Sequence, residues 1–151
     1  MFSTKCKNCF QVISQPKCAS WALLLLRLVV GVAFILHGAG KIQTPFSWAP
    51  PQAPIQIPGF FQFLAALSEF GGGIALVLGL LTCLASMGLA FTMAVAVFFH
   101  AIILKDPFVN MTGGSSYELA LGYLAIALLF MALGPGKFSV DAKLFGERSA
   151  R

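Results

Sequence analysis

Apolar and polar positions alternate on a coarse scale along this chain, giving four long oily stretches divided by polar or proline-rich segments. The first stretch runs from about Ser20 to Ile42, with Trp21 in its first turn as an interface anchor. From Gly59 to Leu104 the chain stays apolar, with Glu69 as its sole acidic or basic side chain before His100. At about 1.5 Å per residue a helix that long is roughly twice the ~30 Å hydrocarbon core, so it divides into two spans. The break falls between Gly79 and Cys83, where a helix breaker and a polar group coincide, giving spans of about 59–81 and 83–104. A fourth span, about 117–133, is stopped by Gly134, Pro135 and Gly136.

This pattern predicts an all-α protein, an integral membrane four-helix bundle over residues 20–136. A polar tail, 1–19, precedes it. A second tail, 137–151, carries Val140, Leu144 and Phe145 on one side and reads as a short interfacial amphipathic helix. Residues 43–58 hold five prolines, which exclude a helix and favour extended, polyproline-like chain. Phe46 and Trp48 in that segment suit the membrane surface. Ser115 and Glu118 have the spacing of a capping box opening the fourth helix. Small residues at every fourth position, Gly71–Ala75–Gly79 and Ser86–Ala90–Ala94, predict close helix contacts.

Composition agrees. The chain is 58% hydrophobic and 10% charged, against about 25% charged in soluble domains, so it has too little polar surface to cover a water-exposed globule. Its net charge of +5 is concentrated in the tails, which is a poor nucleic-acid footprint. With four spans both tails share one side, and that side holds seven Lys and Arg residues against two opposite. Both termini are therefore expected in the cytoplasm. A cleaved signal peptide is disfavoured, because the first apolar run is too long and contains Arg27. Cys6 and Cys9 form a single C-x-x-C; without a second pair they read as reduced thiols in a tail. P-loop, G-x-S-x-G and H-E-x-x-H signatures are absent.

The chemistry concentrates in Leu25–Ile42, which carries Arg27, His37 and Lys41. Ionisable groups in such a segment face protein or water rather than lipid. At about 100° per residue, Arg27, Gly31, Phe34, Gly38 and Lys41 fall within roughly 40° of one line, with His37 about 80° away. The other spans contribute Glu69, His100 and Glu118. Counting residues from the span ends puts His37 and His100 roughly 7 Å beneath the outer surface, with Lys41, Lys105, Asp106 and Glu118 nearby. Arg27 and Glu69 are expected to pair near mid-membrane. The six groups together predict a polar cleft open outward and closed at its floor by that pair. Each has a plainer role as well: Arg27–Glu69 a register-fixing pair, Lys41 a snorkelling cation, Glu118 a cap, and each histidine the partner of a backbone carbonyl.

The segments RLVVGVAFILHGAGKI, SEFGGGIALVLGLLT, His100, SYELALGYLAIALLF and GPGKFSVD resemble the DoxX family of small four-helix bacterial membrane proteins, over about residues 23–146. Cys83 departs from it, standing where the family commonly has arginine. The resemblance implies the bacterial inner membrane and a membrane subunit of a quinone-linked, sulfur or oxidative-stress redox complex, at most a subunit of an oxidoreductase. It places any family function at Arg27, His37, Lys41, Glu69, His100 and Glu118. The implied partners are the lipid bilayer and a partner protein or a second copy. The implied cofactor is a quinone, with His37, His100 and Glu118 near Lys41 and Phe34 to hydrogen-bond its head. Two histidines at equal depth would also suit bis-histidine haem ligation, but the resemblance does not point there. The alternative is a non-enzymatic small-solute carrier or membrane assembly partner.

Overall fold

The computed structural model describes residues 11–148. Cys6 and Cys9 lie outside the described residues. The chain forms a short strand β1 (Val12–Ile13), then helices α1 (Lys17–Lys41), α2 (Gly59–Leu78), α3 (Thr82–Phe98), α4 (Glu118–Leu133) and α5 (Val140–Phe145), and a strand β2 (Glu147–Arg148). The first four helices make an up-down bundle in which α1 packs on α2, α2 on α3 and α3 on α4. Tyr123 of α4 closes the ring by packing on Phe34 of α1, with ring centroids 4.9 Å apart. The core draws Leu23, Val30 and Phe34 from α1, Leu76 from α2, Leu89, Ala90 and Met93 from α3, and Ala127 and Phe130 from α4.

Large apolar side chains cover the outside of this bundle: Trp21, Leu25, Val29 and Leu36 on α1, Leu67 and Leu78 on α2, Phe91 and Phe98 on α3, and Leu128 on α4. In water that surface would drive aggregation; in a bilayer it is the lipid face. Among the described residues, three helical segments are long and apolar enough to cross a membrane: Lys17–Lys41, Gly59–Leu78 and Thr82–Ile103. The fourth, Glu118–Leu133, has 16 residues. The protein is an all-α membrane four-helix bundle.

Close approach of α1 and α2 rests on glycine. A Cβ on Gly38 would lie 2.5 Å from the backbone nitrogen of Phe70, and one on Gly73 2.7 Å from the carbonyl oxygen of Gly31. Helix association in lipid depends on such backbone proximity, since apolar side chains gain nothing by leaving lipid tails. Of the two stripes expected from sequence, the α3 stripe is buried at Ser86 and Ala90 and exposed only at Ala94, while on the α2 stripe Gly71 meets nothing closer than its own helix's Leu67. On α2 the contacts use Gly73 toward α1 and Gly72 toward Leu89 of α3, so the working face of that helix is rotated from the one expected.

At the tight α2–α3 turn, Gly79 (φ 66°) and Leu81 (φ 48°) are both left-handed. Residues 43–58 form successive turns, Ser47 N to Thr44 O and Ala53 N to Pro50 O, rather than one extended run. The expected capping box is not formed. Tyr117 precedes α4 and caps nothing by its side chain; the backbone nitrogens of Tyr117 and Glu118 donate to the carbonyls of Pro107 and Phe108. The preceding loop thus satisfies two of the donors a helix start leaves unpaired.

Candidate functional site

The polar side chains separate to the two ends of the bundle. Arg27 lies at the end that carries both termini, with 1% of its surface exposed. Its guanidinium donates from Nη1 to the carbonyl of Pro135 and from Nη2 to that of Phe138, each at 2.9 Å. The first carbonyl belongs to the G-P-G segment that terminates α4 and the second follows it by two residues, so the arginine binds the returning chain to α1. Asp141 completes the closure. Its carboxylate accepts from the backbone nitrogens of Leu81 (2.7 Å) and Thr82 (2.9 Å), capping α3 where the helix dipole favours a negative charge. Its own nitrogen donates to Gly79 O. Ser139 caps α5 by accepting from Ala142 N, and β1 pairs in parallel with β2. The C-terminal amphipathic helix is therefore one short turn-and-a-half anchored by a buried aspartate rather than by apolar side chains alone.

The expected Arg27–Glu69 pair does not form. Glu69 belongs to the opposite end and pairs with Lys41, whose Nζ lies 2.6 Å from Oε1 and 2.7 Å from Oε2. The cause is the stagger of α1 and α2. Gly38 packs at the level of Phe70, and Gly31 at the level of Gly73 and Val77. Residue 69 therefore stands beside the last turn of α1, and Arg27, fourteen positions before Lys41, is about 21 Å away along the axis. Side chains lean toward the N-terminus of their helix, so Lys41 leans back along α1 onto Glu69.

The first turns of α2 project past the end of α1, and the proline-rich segment wraps them. Gln62 fastens that segment. Its Oε1 accepts from Ala49 N, its Nε2 donates to Ile57 O, and its carbonyl accepts from Trp48 Nε1, all at 2.8 Å. Phe46 stacks on Phe63, with centroids 5.3 Å apart. This brings the Trp48 ring to 4.6 Å from Lys41 Nζ, a cation–π contact. The result is a buried carboxylate, a half-buried ammonium and an indole roof.

His100 is half-buried and its Nδ1 lies 2.7 Å from Asp106 Oδ2. His37 is exposed; its ring meets the edge of Tyr123 at 6.4 Å. Glu118 is exposed and forms no ion pair among the described residues. No group of three metal-ligating side chains occurs among the described residues. The structure thus joins Lys41 to Glu69 and leaves Arg27 out. Sequence reasoning placed Asp106 near His100 and missed Trp48, Gln62 and Asp141 as parts of these constellations. The signal for Asp141 was its place after Ser139, at the start of a short helix next to a glycine-rich stop.

Four helices with a lipid-facing exterior, a salt bridge between the first two and a locked terminal segment define a small polytopic membrane protein. A family model described as DoxX matches residues 22–101. The chain belongs to the DoxX family. It is 32% identical over 126 residues to "Inner membrane protein YqjF" of Escherichia coli K12, covering 81% of this chain and 91% of that protein. It is 36% identical over 125 residues to an "Uncharacterized protein" of Haemophilus influenzae, covering 82% and 90%. It is 31% identical over 118 residues to "Putative oxidoreductase CatD" of Bacillus subtilis, covering 76% and 86%. No solved structure matches the chain.

Proposed function

We propose that the protein resides in a bacterial inner membrane with both termini cytoplasmic, and serves as the membrane subunit of an oxidoreductase that handles a quinone. The inner-membrane part rests on the basic tails and on the printed name of the Escherichia coli relative. The redox part draws on the printed name of the Bacillus subtilis relative. The observation that carries the reading is the buried Lys41–Glu69 pair under Trp48, since charged groups within a membrane span are costly and lean functional. Lys41 has three N–H donors and directs its ammonium at one carboxylate, so it retains donor capacity for a carbonyl. Trp48, Phe46 and Phe63 supply aromatic faces beside it. A donor flanked by aromatic rings fits a quinone head, and a bound quinone would supply two-electron, two-proton redox capacity. Lys41 would bind its carbonyl, Glu69 would hold Lys41 in place, and Trp48 would keep bulk water off the pair.

The test is extraction of the protein with native lipid and quantitation of isoprenoid quinone by mass spectrometry. We expect quinone at near-stoichiometric level in the wild type and at least a tenfold loss in Trp48→Leu and Lys41→Met, both still monodisperse and helical. Quinone at the level of bulk lipid in the wild type would refute the proposal. Solute flux through proteoliposomes in that case would favour a carrier.

A further inference from the structure

Helix α3 does not end at Phe98. It widens into a π-helical turn, Phe99–Ile103, closed by Leu104 N donating to Phe99 O at 3.0 Å. Single π turns at the end of α-helices recur at functional sites, because the extra residue redirects a side chain. The side chain carried by this turn is His100. Two positions past the turn, Lys105 takes φ 57°, a left-handed conformation rare outside glycine. The chain thereby doubles back, and Asp106 meets His100 twice: Asp106 N donates to His100 O at 2.9 Å, and Asp106 Oδ2 lies 2.7 Å from His100 Nδ1.

This double tie fixes the imidazole chemically. A carboxylate has only acceptor sites, so Nδ1 carries the proton between the pair, and in the neutral ring Nε2 is the bare acceptor nitrogen. His100 Nε2 makes no hydrogen bond among the described residues, and the side chain is 34% exposed. One ring nitrogen is thus locked by the carboxylate, and the other is left open to a ligand or to water. The Phe99 ring stands edge-on at 6.2 Å, giving the imidazole an apolar flank.

We infer that His100 and Asp106 form an oriented base that binds a hydroxyl-bearing aromatic, a phenol or quinol head, at the end of the bundle opposite the termini. The ligand O–H donates to Nε2. On transfer the O–H bond breaks and an N–H bond forms at Nε2, leaving a phenolate and an imidazolium; no electron moves. The Asp106 carboxylate offsets the positive charge that the ring acquires. Asp106 is a positioning residue, since it acts through the ring. The assignment rests on the quinone reading only in naming a quinol as natural ligand; the dyad's chemistry toward phenols stands apart from it.

The experiment uses full-length protein in detergent, labelled with ¹⁵N-histidine and assigned with His37→Gln. Wild-type His100 is expected as the Nδ1–H tautomer, with Asp106→Ala shifting it toward Nε2–H. 4-Nitrophenol is the probe, because its ionisation is visible as phenolate absorption. We expect saturable binding in the ionised form, at least tenfold weaker in His100→Ala and Asp106→Asn, and restored by Asp106→Glu. An unchanged tautomer in Asp106→Ala, or ionised binding that survives His100→Ala, would overturn the inference. Wild-type protein that carries quinone only at the level of bulk lipid yet binds nitrophenol as expected would sink the proposed function and leave the dyad standing.

Discussion

Removing one partner of the Lys41–Glu69 pair should cost far more than removing both. At an effective dielectric of about 20, unit charges at this separation attract by about 6 kcal/mol, most of which offsets their desolvation. The two partners differ in what they leave behind. Glu69 has 3% of its side chain exposed and Lys41 28%. Lys41→Met strands a carboxylate with no route to water, so the expected loss is about 3 kcal/mol, at the low end for breaking a buried pair. Glu69→Leu strands an ammonium that can snorkel past Trp48, so the loss is about 1.5 kcal/mol. The double variant replaces both ions by apolar groups and should lie within about 1 kcal/mol of wild type. The cycle therefore has a coupling energy of about 4 kcal/mol, measurable by reversible SDS titration in mixed micelles followed by circular dichroism. Additivity of the two single changes to within about 0.5 kcal/mol would refute the pairing and with it the stagger of α1 and α2.

Two further substitutions probe the elements that set this geometry. Gly38→Ala puts a methyl 2.5 Å from Phe70 N, a backbone atom that cannot give way, so α1 and α2 should separate. The expected cost is about 2 kcal/mol, within the range for overpacking, with Gly122→Ala, which meets nothing, as the neutral control in the same titration. Asp141→Ala removes the acceptor for two backbone donors and a negative charge at the start of α3; a loss of about 2 kcal/mol is expected. Asp141→Asn, which keeps one acceptor oxygen, should recover about half, and equal losses in both variants would count against a capping role.

The membrane class, the four helices and the α2–α3 break were legible because each follows from composition, length or a helix breaker within one stretch of chain. Pairing was less legible, since it depends on how two helices slide past each other. Arg27 and Glu69 appeared matched in depth when both helices were counted from a common surface. The glycines overturn that count. Gly38 lets α1 sit against Phe70, which raises Glu69 to the last turn of α1 and leaves Arg27 far below. The sequence contained those glycines, but a glycine in an oily helix does not say which neighbour it admits. Glu118 failed for a different reason: the capping spacing was present, yet backbone carbonyls from the preceding loop reached the helix start instead.

The displaced Arg27 has a function that its distance from Glu69 makes necessary. At its end of the bundle α4 stops at Gly134, and the carbonyls of the segment that follows it would face a low-dielectric interior without donors. Arg27 supplies two of those donors, to Pro135 and Phe138. Asp141 in turn accepts from two nitrogens at the start of α3. One buried cation and one buried anion thus satisfy four backbone groups contributed by two connections, α4–α5 and α2–α3. A Cβ at Gly79 would collide with Arg27 Nη1, so the turn between α2 and α3 must also be glycine for the arginine to reach its carbonyls. An end closed this tightly cannot open to admit a ligand without unpairing several buried backbone groups. The ligand sites proposed above lie at the opposite end, where Lys41, Trp48 and His100 are only partly covered.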